Sequence, residues 1–229
     1  MPKRLTYPTF DEEKKLWQIG YQFVMGTDEV GRGSFAGPVV AAAVVFKKGS
    51  NLPTSLFGVN DSKLLAPAKR EYLAREIKNT CLFWNIAVIQ VGQINKFGIG
   101  KATDMAFRKA VKSIMYQVLS IKQNGKNTVP NTMFYVLSDA FYIKYIRGIG
   151  LKNQKAIIKG DQKSISIASA SIIAKVYRDE LMTKLSSKFP EYKFAIHKGY
   201  GTKEHRVALK KHGLSKIHRT SFLIQKYTS

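Results

Sequence analysis

Residues 26–46 read Gly26-Thr27-Asp28-Glu29-Val30-Gly31-Arg32-Gly33-Ser34-Phe35-Ala36-Gly37-Pro38-Val39-Val40-Ala41-Ala42-Ala43-Val44-Val45-Phe46. A short apolar run, Gln22 to Thr27, leads into this stretch, and a longer one, Pro38 to Phe46, closes it. Apolar runs of this length bounded by turn residues read as buried strands. The stretch therefore predicts two strands joined by a glycine-rich loop that carries two acids at its entrance. A dinucleotide-binding fingerprint would need a helix after Gly37, and Pro38-Val39-Val40 starts a strand instead. Gly-Lys-Ser/Thr, the mark of a P-loop, is missing too. The glycines read better as positions where bare backbone meets a ligand closely, or simply as a tight turn.

Outward from it, Phe10 to Ile19 predicts a short helix with acids at its positive N-terminal end. Lys47 to Ser62 is rich in Gly, Asn, Ser and Pro and reads as loop. Pro67 suits the first turn of a helix through Asn79, and Leu82 to Val91 reads as strand. From Ile99 to Lys122, Ala102, Met105, Ala106, Ala110, Ile114 and Val118 recur at helical spacing beneath a basic outer face. Met133 to Leu137 is a strand, Gln154 to Ile158 a weaker one, and Ile165 to Lys188 a long helix stopped before Pro190. The last forty residues hold a Gly-Tyr-Gly turn and short basic helical segments. Strands early and alternation later predict an α/β class with a mixed sheet and a helical tail. The boundaries expected are an extension over 1–20, a core over 21–190 and a helical extension over 191–229.

The chain has 229 residues, 38 lysines and arginines against 15 acids, and a formal charge of +23. That surplus points to a polyanionic partner such as nucleic acid or an anionic membrane, or more plainly to a solubility device. A single cysteine, Cys81, excludes an internal disulfide and a cysteine-based zinc site, and fits a reducing, cytoplasmic compartment. No apolar run nears the roughly 18 residues of a membrane span, and the polar N-terminus lacks a secretory pattern.

Because acids are scarce, each position counts. Asp11, Glu12, Glu13, Glu71, Glu76, Glu180, Glu191 and Glu204 fall on polar segments that read as solvated. Asp28 and Glu29 end the first apolar run, Asp139 ends the run 133–138, and Asp161 follows 156–160. Carboxylates at strand ends occupy the sheet edge where α/β folds hold ligands. Gathering four of them demands a cation, and hard oxygen donors select Mg2+ or Mn2+ over zinc. On a basic protein this points to metal-assisted phosphodiester cleavage; separate helix caps or surface ion pairs are the plainer alternative.

Gly26 to Gly33, continuing through Ala36-Gly37-Pro38-Val39-Val40-Ala41-Ala42, resembles the opening signature of ribonuclease HII, the type 2 ribonuclease H family. Asp61-Ser62-Lys63 is similar to its second motif. Lys159-Gly160-Asp161, with the segment Ile167 to Asp179, resembles the third. His197-Lys198-Gly199-Tyr200-Gly201-Thr202, His205 and Ile217 to Phe222 resemble the C-terminal signature. The blocks occur in the family's order from residue 26 to 222. Two departures stand out: Ser138-Asp139-Ala140 where the family has Val or Ile, Asp and Gly, and Val30 for a common alanine. The sister family, ribonuclease HIII, has a sizeable N-terminal domain and a glutamate as fourth acid. Some 25 residues before the first motif, and an aspartate at 161, favour type 2.

The resemblance implies a ribonuclease H-like mixed sheet flanked by helices, and hydrolysis of the RNA strand of RNA–DNA hybrids. It also implies nicking 5′ of ribonucleotides embedded in duplex DNA, giving 3′-hydroxyl and 5′-phosphate ends. Asp28, Glu29, Asp139 and Asp161 correspond to the catalytic, metal-binding carboxylates, which would hold two Mg2+ or Mn2+ ions about 4 Å apart. Gly31-Arg32-Gly33 corresponds to the loop that senses the 2′-hydroxyl, and Tyr200 to a tyrosine that stacks on the next sugar. Lys63, Lys159 and Arg32 are candidate phosphate contacts. Asp179, four residues after Lys175, reads as half of an intrahelical pair. His197, His205 and His218 are too scattered to imply zinc, and His218-Arg219 reads as a tail anchor or a duplex contact. A monomer is expected. The competing reading is a non-catalytic RNA-binding protein, which has no use for acids at strand ends.

Overall fold

The computed structural model describes residues 7–63, 65–123, 133–222, 224 and 227; the start of the expected N-terminal extension and parts of the tail lie outside them. Five strands form one mixed sheet in the order β3-β2-β1-β4-β5. Strand β1 (Phe23–Val30) runs antiparallel to β2 (Val39–Val45) and parallel to β4 (Phe134–Asp139). Strand β3 (Phe83–Ile89) pairs antiparallel with β2, and β5 (Gln154–Ile157) parallel with β4. Thus the sheet is an antiparallel meander continued by two parallel strands, as the α/β reading requires.

All seven residues of β2 are buried because both faces of the sheet are covered. Alternate side chains serve different cores. Val40, Ala42 and Val44 join a cluster with Leu73, Ile77 and Ile172. Val39, Ala41, Ala43 and Val45 join Ile94, Phe107 and Ile114 on the other side. Each buried valine contributes about 1.5 kcal/mol or more. Helix α1 (Asp11–Gln18), α2 (Pro67–Thr80) and α4 (Ile165–Ser186) lie with the first cluster. Helix α3 (Val91–Gln123) supplies the second. In the tail, α5 (Phe194–His197) and α6 (Lys203–His212) pack with Ala36, Met182 and Tyr192 around a third, smaller core.

Helix α4 crosses β1 at very close range. A Cβ on Gly26 would fall 2.0 Å from the carbonyl carbon of Ser166, so the backbones meet only because Gly26 has no side chain. The helix answers with small residues, Ser166 and Ala168-Ser169-Ala170-Ser171, all buried. Its N-cap is Ser164, whose Oγ accepts from the Ile167 N–H at 3.2 Å.

Three expectations need correction. The first strand does not stop at Thr27, because β1 stays paired with β2 up to Val30↔Val40; Asp28 and Glu29 therefore lie within it. Val91 begins a helix rather than ending a strand: the Gln90 carbonyl already accepts from Gln93 and Ile94 at 3.0 and 3.2 Å. Gly98, at φ 79° and ψ 159°, then breaks α3, which is why only the part after it reads as helix. Glu13 is not solvated but 1% exposed. Its Oε1 accepts from the Ser164 hydroxyl at 2.6 Å and the Ser166 N–H at 3.0 Å, tying α1 to the positive end of α4.

Candidate active site

The acids meet where the parallel strands end. Register pairs Gly26 with Leu137 and Thr27 with Ser138, so Asp28 and Asp139 follow as neighbours at the C-terminal ends of β1 and β4. By the two-residue alternation of a strand, Asp28 shares the α4 face with Gly26. Asp139 pairs with Ile157, the last residue of β5, and Asp161 sits in the 3-10 turn Gly160–Gln162 just beyond. The Gly160 N–H donates to Asp139 Oδ1 at 2.8 Å, binding that turn to β4.

These carboxylates are close enough to oppose one another's ionisation. Burial, then the charges of Glu29 and Asp139, push Asp28 well above the usual carboxylate range, against a hydrogen bond from Ser171. Burial also raises Glu29; Arg32 opposes the shift and Asp139 adds to it. Asp161 is pushed up to about 6, first by burial and then by Asp61 and Asp139. Burial disfavours the charge on Lys63, yet Asp61, Asp28, Asp161 and Asp139 together raise its pKa. The five acids and Lys63 therefore form one electrostatic unit whose negative charge is only partly answered. Such a site suits a hard cation. Among the described residues no three His, Cys, Asp or Glu side chains are already gathered about a single ion position.

The residues expected for substrate contact flank this edge. Gly31-Arg32-Gly33 continues directly from β1, with Arg32 and Gly33 exposed. Arg32 Nη1 lies 3.7 Å from Glu29 Oε1 and its guanidinium 5.1 Å from the Phe141 ring, so it bridges loop and acids. Lys63 is exposed. Tyr200 lies in the loop between α5 and α6, its ring 5.4 Å from the Arg178 guanidinium and 5.8 Å from Lys175 Nζ. The Gly199 carbonyl accepts from the Phe35 and Ala36 amides at 2.8 and 3.2 Å, bonding the Tyr200 loop to the glycine-rich loop. Lys175 and Asp179 form the expected intrahelical pair, at 2.9 Å.

The histidines, far apart in sequence, are together in space. His205 and His218 face each other Nε2 to Nε2 at 3.0 Å, and His197 stacks on His205 with centroids 4.4 Å apart. The bonds fix their tautomers. His218 Nδ1 accepts from the Ser215 N–H at 2.8 Å, so its Nε2–H donates to His205, whose Nδ1–H donates to the Tyr200 carbonyl at 2.9 Å. Burial pushes both His205 and His218 down to about 4. Every ring nitrogen in this relay is engaged, so it is an anchor for the tail rather than a zinc site.

Sequence reasoning missed several residues. Asp61 is hydrogen-bonded to Asp161 and its Oδ1 accepts from the Lys63 N–H at 3.0 Å. Ser62 and Ser171 bond Oγ to Oγ at 3.0 Å, which links the second motif to the serine on Asp28. Arg178 and Arg219, both wholly buried, hold the carbonyls of the glycine-rich loop. The motif around Asp61 was a signal for the first pair; Arg219 read with His218 as a tail anchor or a duplex contact, and nothing gave Arg178 a role.

Known proteins identify the family. The family model described as Ribonuclease HII matches residues 25–225. The ribonuclease HII of Clostridioides difficile is 45% identical over 211 residues, 92% of this chain and 74% of that protein. Two solved structures share the fold. Ribonuclease H2 of Pyrococcus horikoshii has a TM-score of 0.66 at 24% identity, over 90% of this chain and 97% of that one. The Bst ribonuclease HIII in complex with Mn2+ scores 0.61 at 21% identity, over 93% and 71%. The matched model spans the acids of the sheet edge, the glycine-rich loop and the tyrosine loop alike, and the chain belongs to the ribonuclease HII family.

Proposed function

We propose that this protein, beyond the hydrolysis of RNA–DNA hybrids that its family membership brings, nicks duplex DNA on the 5′ side of single embedded ribonucleotides. It leaves a 3′-hydroxyl and a 5′-phosphate. The observation that carries the reading is the convergence of Asp28, Glu29, Asp139 and Asp161 on one sheet edge, mutually repelling, beside a loop that exposes the bare backbone of Gly33. Enzymes of this class depend on divalent metal. The all-oxygen donor set fits Mg2+ or Mn2+, the latter being the ion in the Bst ribonuclease HIII. When bound, such ions supply an activated water and stabilise charge on the leaving 3′-oxygen.

The chain's own residues do the rest. The four carboxylates hold the cations, while Ser171 and the Gly160 N–H keep Asp28 and Asp139 in place. Lys63 offsets their charge and faces the phosphate. The Gly31–Gly33 backbone meets the 2′-hydroxyl, the one group separating ribose from deoxyribose. Tyr200 offers a flat ring to the following sugar, which fits when it lacks that hydroxyl. The excess of basic side chains binds the duplex without reading bases, so affinity falls steeply with salt.

The test is a nicking assay on a DNA duplex carrying one ribonucleotide, with Mg2+. Cleavage 5′ of the ribonucleotide, absent from the all-DNA duplex, is the expected result. Cutting of long hybrids alone, with the single ribonucleotide left intact, overturns the proposal.

A further inference from the structure

Two arginines occupy the inner side of the glycine-rich loop, and neither is ion-paired among the described residues. Arg178 comes from α4 and Arg219 from the tail, and both are 0% exposed. Arg178 donates from Nε to Pro38 O at 3.0 Å, from Nη2 to Ala36 O at 3.2 Å and from Nη1 to Lys198 O at 2.9 Å. Arg219 donates from Nε to Gly37 O at 2.9 Å and from Nη1 to Arg32 O at 2.8 Å. Its backbone N–H takes Phe35 O at 2.8 Å. Five carbonyls of the loop are thus turned toward these two residues.

A trans peptide unit points its N–H opposite its C=O. With the Arg32 carbonyl drawn inward to Arg219, the Gly33 N–H of the same unit is turned outward, at an exposed residue with no backbone partner among the described residues. Farther along, the N–H groups of Phe35, Ala36 and Gly37 are all taken by Gly199 and Ile217 carbonyls. Gly31 completes the fit: at φ +87°, a Cβ there would lie 2.0 Å from Arg178 Nε. Arg178 also bonds Lys198 and stands beside Tyr200, so one buried cation spaces both substrate-reading elements.

We infer that Arg219 and Arg178 are positioning residues for ribonucleotide discrimination: Arg219 holds the Arg32–Gly33 peptide with its N–H facing the 2′-hydroxyl, and Arg178 sets the loop against Tyr200. The inference rests on the proposed reading of that loop. Arginine is required because its rigid fork serves two or three carbonyls at once, whereas lysine carries the same charge on a single nitrogen.

The experiment compares dissociation constants for a duplex with one ribonucleotide and for the all-deoxy duplex, without divalent metal. It uses the unmodified protein, Arg219→Lys and Arg178→Lys. The unmodified protein prefers the ribonucleotide duplex. In the lysine variants all-deoxy affinity stays within about twofold, and the preference shrinks by up to about tenfold, the scale of one lost amide–hydroxyl hydrogen bond. A mere loss of folding would weaken both duplexes together. No preference in the unmodified protein sinks the parent reading; an undiminished preference in well-folded variants overturns the inference alone. If the variants do not fold, hydrogen exchange in the unmodified protein decides. The Gly33 amide must exchange freely and become protected by the ribonucleotide duplex but not by the all-deoxy one. A Gly33 amide already protected, or indifferent to the ribonucleotide, overturns the inference.

Discussion

Two regions of this molecule bury charge of one sign, and they treat it in opposite ways. At the sheet edge, carboxylates from β1, β4 and the turn after β5 face one another, and burial with repulsion from neighbouring acids raises the proton affinity of Asp28, Glu29 and Asp161. At the junction of the glycine-rich loop with the tail, two guanidiniums are passed to backbone carbonyls beside a relay of neutral imidazoles. Charge met by oriented dipoles holds a geometry in place. Charge left facing its own kind favours a counter-ion. In the reading proposed above, the first region is the seat of the chemistry and the second the frame that aims the substrate at it.

The sharpest way to break this contrast is substitution at Asp28. Asp28→Asn should cut turnover at saturating Mg2+ by about a thousandfold or more, the scale of losing a central electrostatic group. It should also raise metal-free stability by roughly 0.5–2 kcal/mol, since a repelling buried charge disappears. Thermal melting and a nicking assay on one preparation check both signs. At the other region, Arg219→Ala should lower stability by about 2–4 kcal/mol, because Gly37 and Arg32 carbonyls lose their donor; denaturant titration measures it.

Acid sharpens the same comparison. Folded-state values near 4 for His205 and His218 lie below the ordinary histidine value near 6.5. Their stabilisation is complete above about 6.5 and is lost as pH falls toward 4, by about 1.4 kcal/mol per pH unit for each ring. Hydrogen exchange in α6 should therefore accelerate through that window, and much less in a His218→Asn variant. Asp161 is shifted the other way, to about 6, so acid relieves the sheet edge while it loosens the tail.

The smallest effect concerns Ala140. It follows Asp139 at φ 63°, a left-handed conformation costing a residue with a Cβ about 1 kcal/mol. Ala140→Gly should stabilise by up to about 1 kcal/mol, less the entropy that glycine adds to the unfolded chain. A denaturant midpoint that does not rise would show that the strain at Ala140 is no larger than that entropy.

What the sequence disclosed follows from where the physics is local. Val39 to Val45 announced a strand covered on both faces, and scarcity singled out Asp28, Glu29, Asp139 and Asp161. Ser138-Asp139-Ala140 hid the left-handed turn, because alanine gives no sign of positive φ. Gly98 concealed the first turns of α3 by interrupting their period. His218-Arg219 read as a tail anchor or a duplex contact, but the histidine relay and the loop carbonyls held by the two arginines were illegible: Arg219 meets Gly37 across 182 positions and Arg178 meets Pro38 across 140. Buried arginines satisfied by carbonyls leave no partner motif to find. Glu13 failed for a related reason, since its partners Ser164 and Ser166 lie some 150 positions away.

The central claim is that the sheet-edge acids exist to hold a divalent cation. Titration of the protein with Mn2+, followed by electron paramagnetic resonance of the free ion, tests it directly. The account predicts saturable binding that Asp28→Asn and Asp139→Asn each weaken by tenfold or more while both variants stay folded. Mn2+ affinity unchanged by either substitution would contradict it.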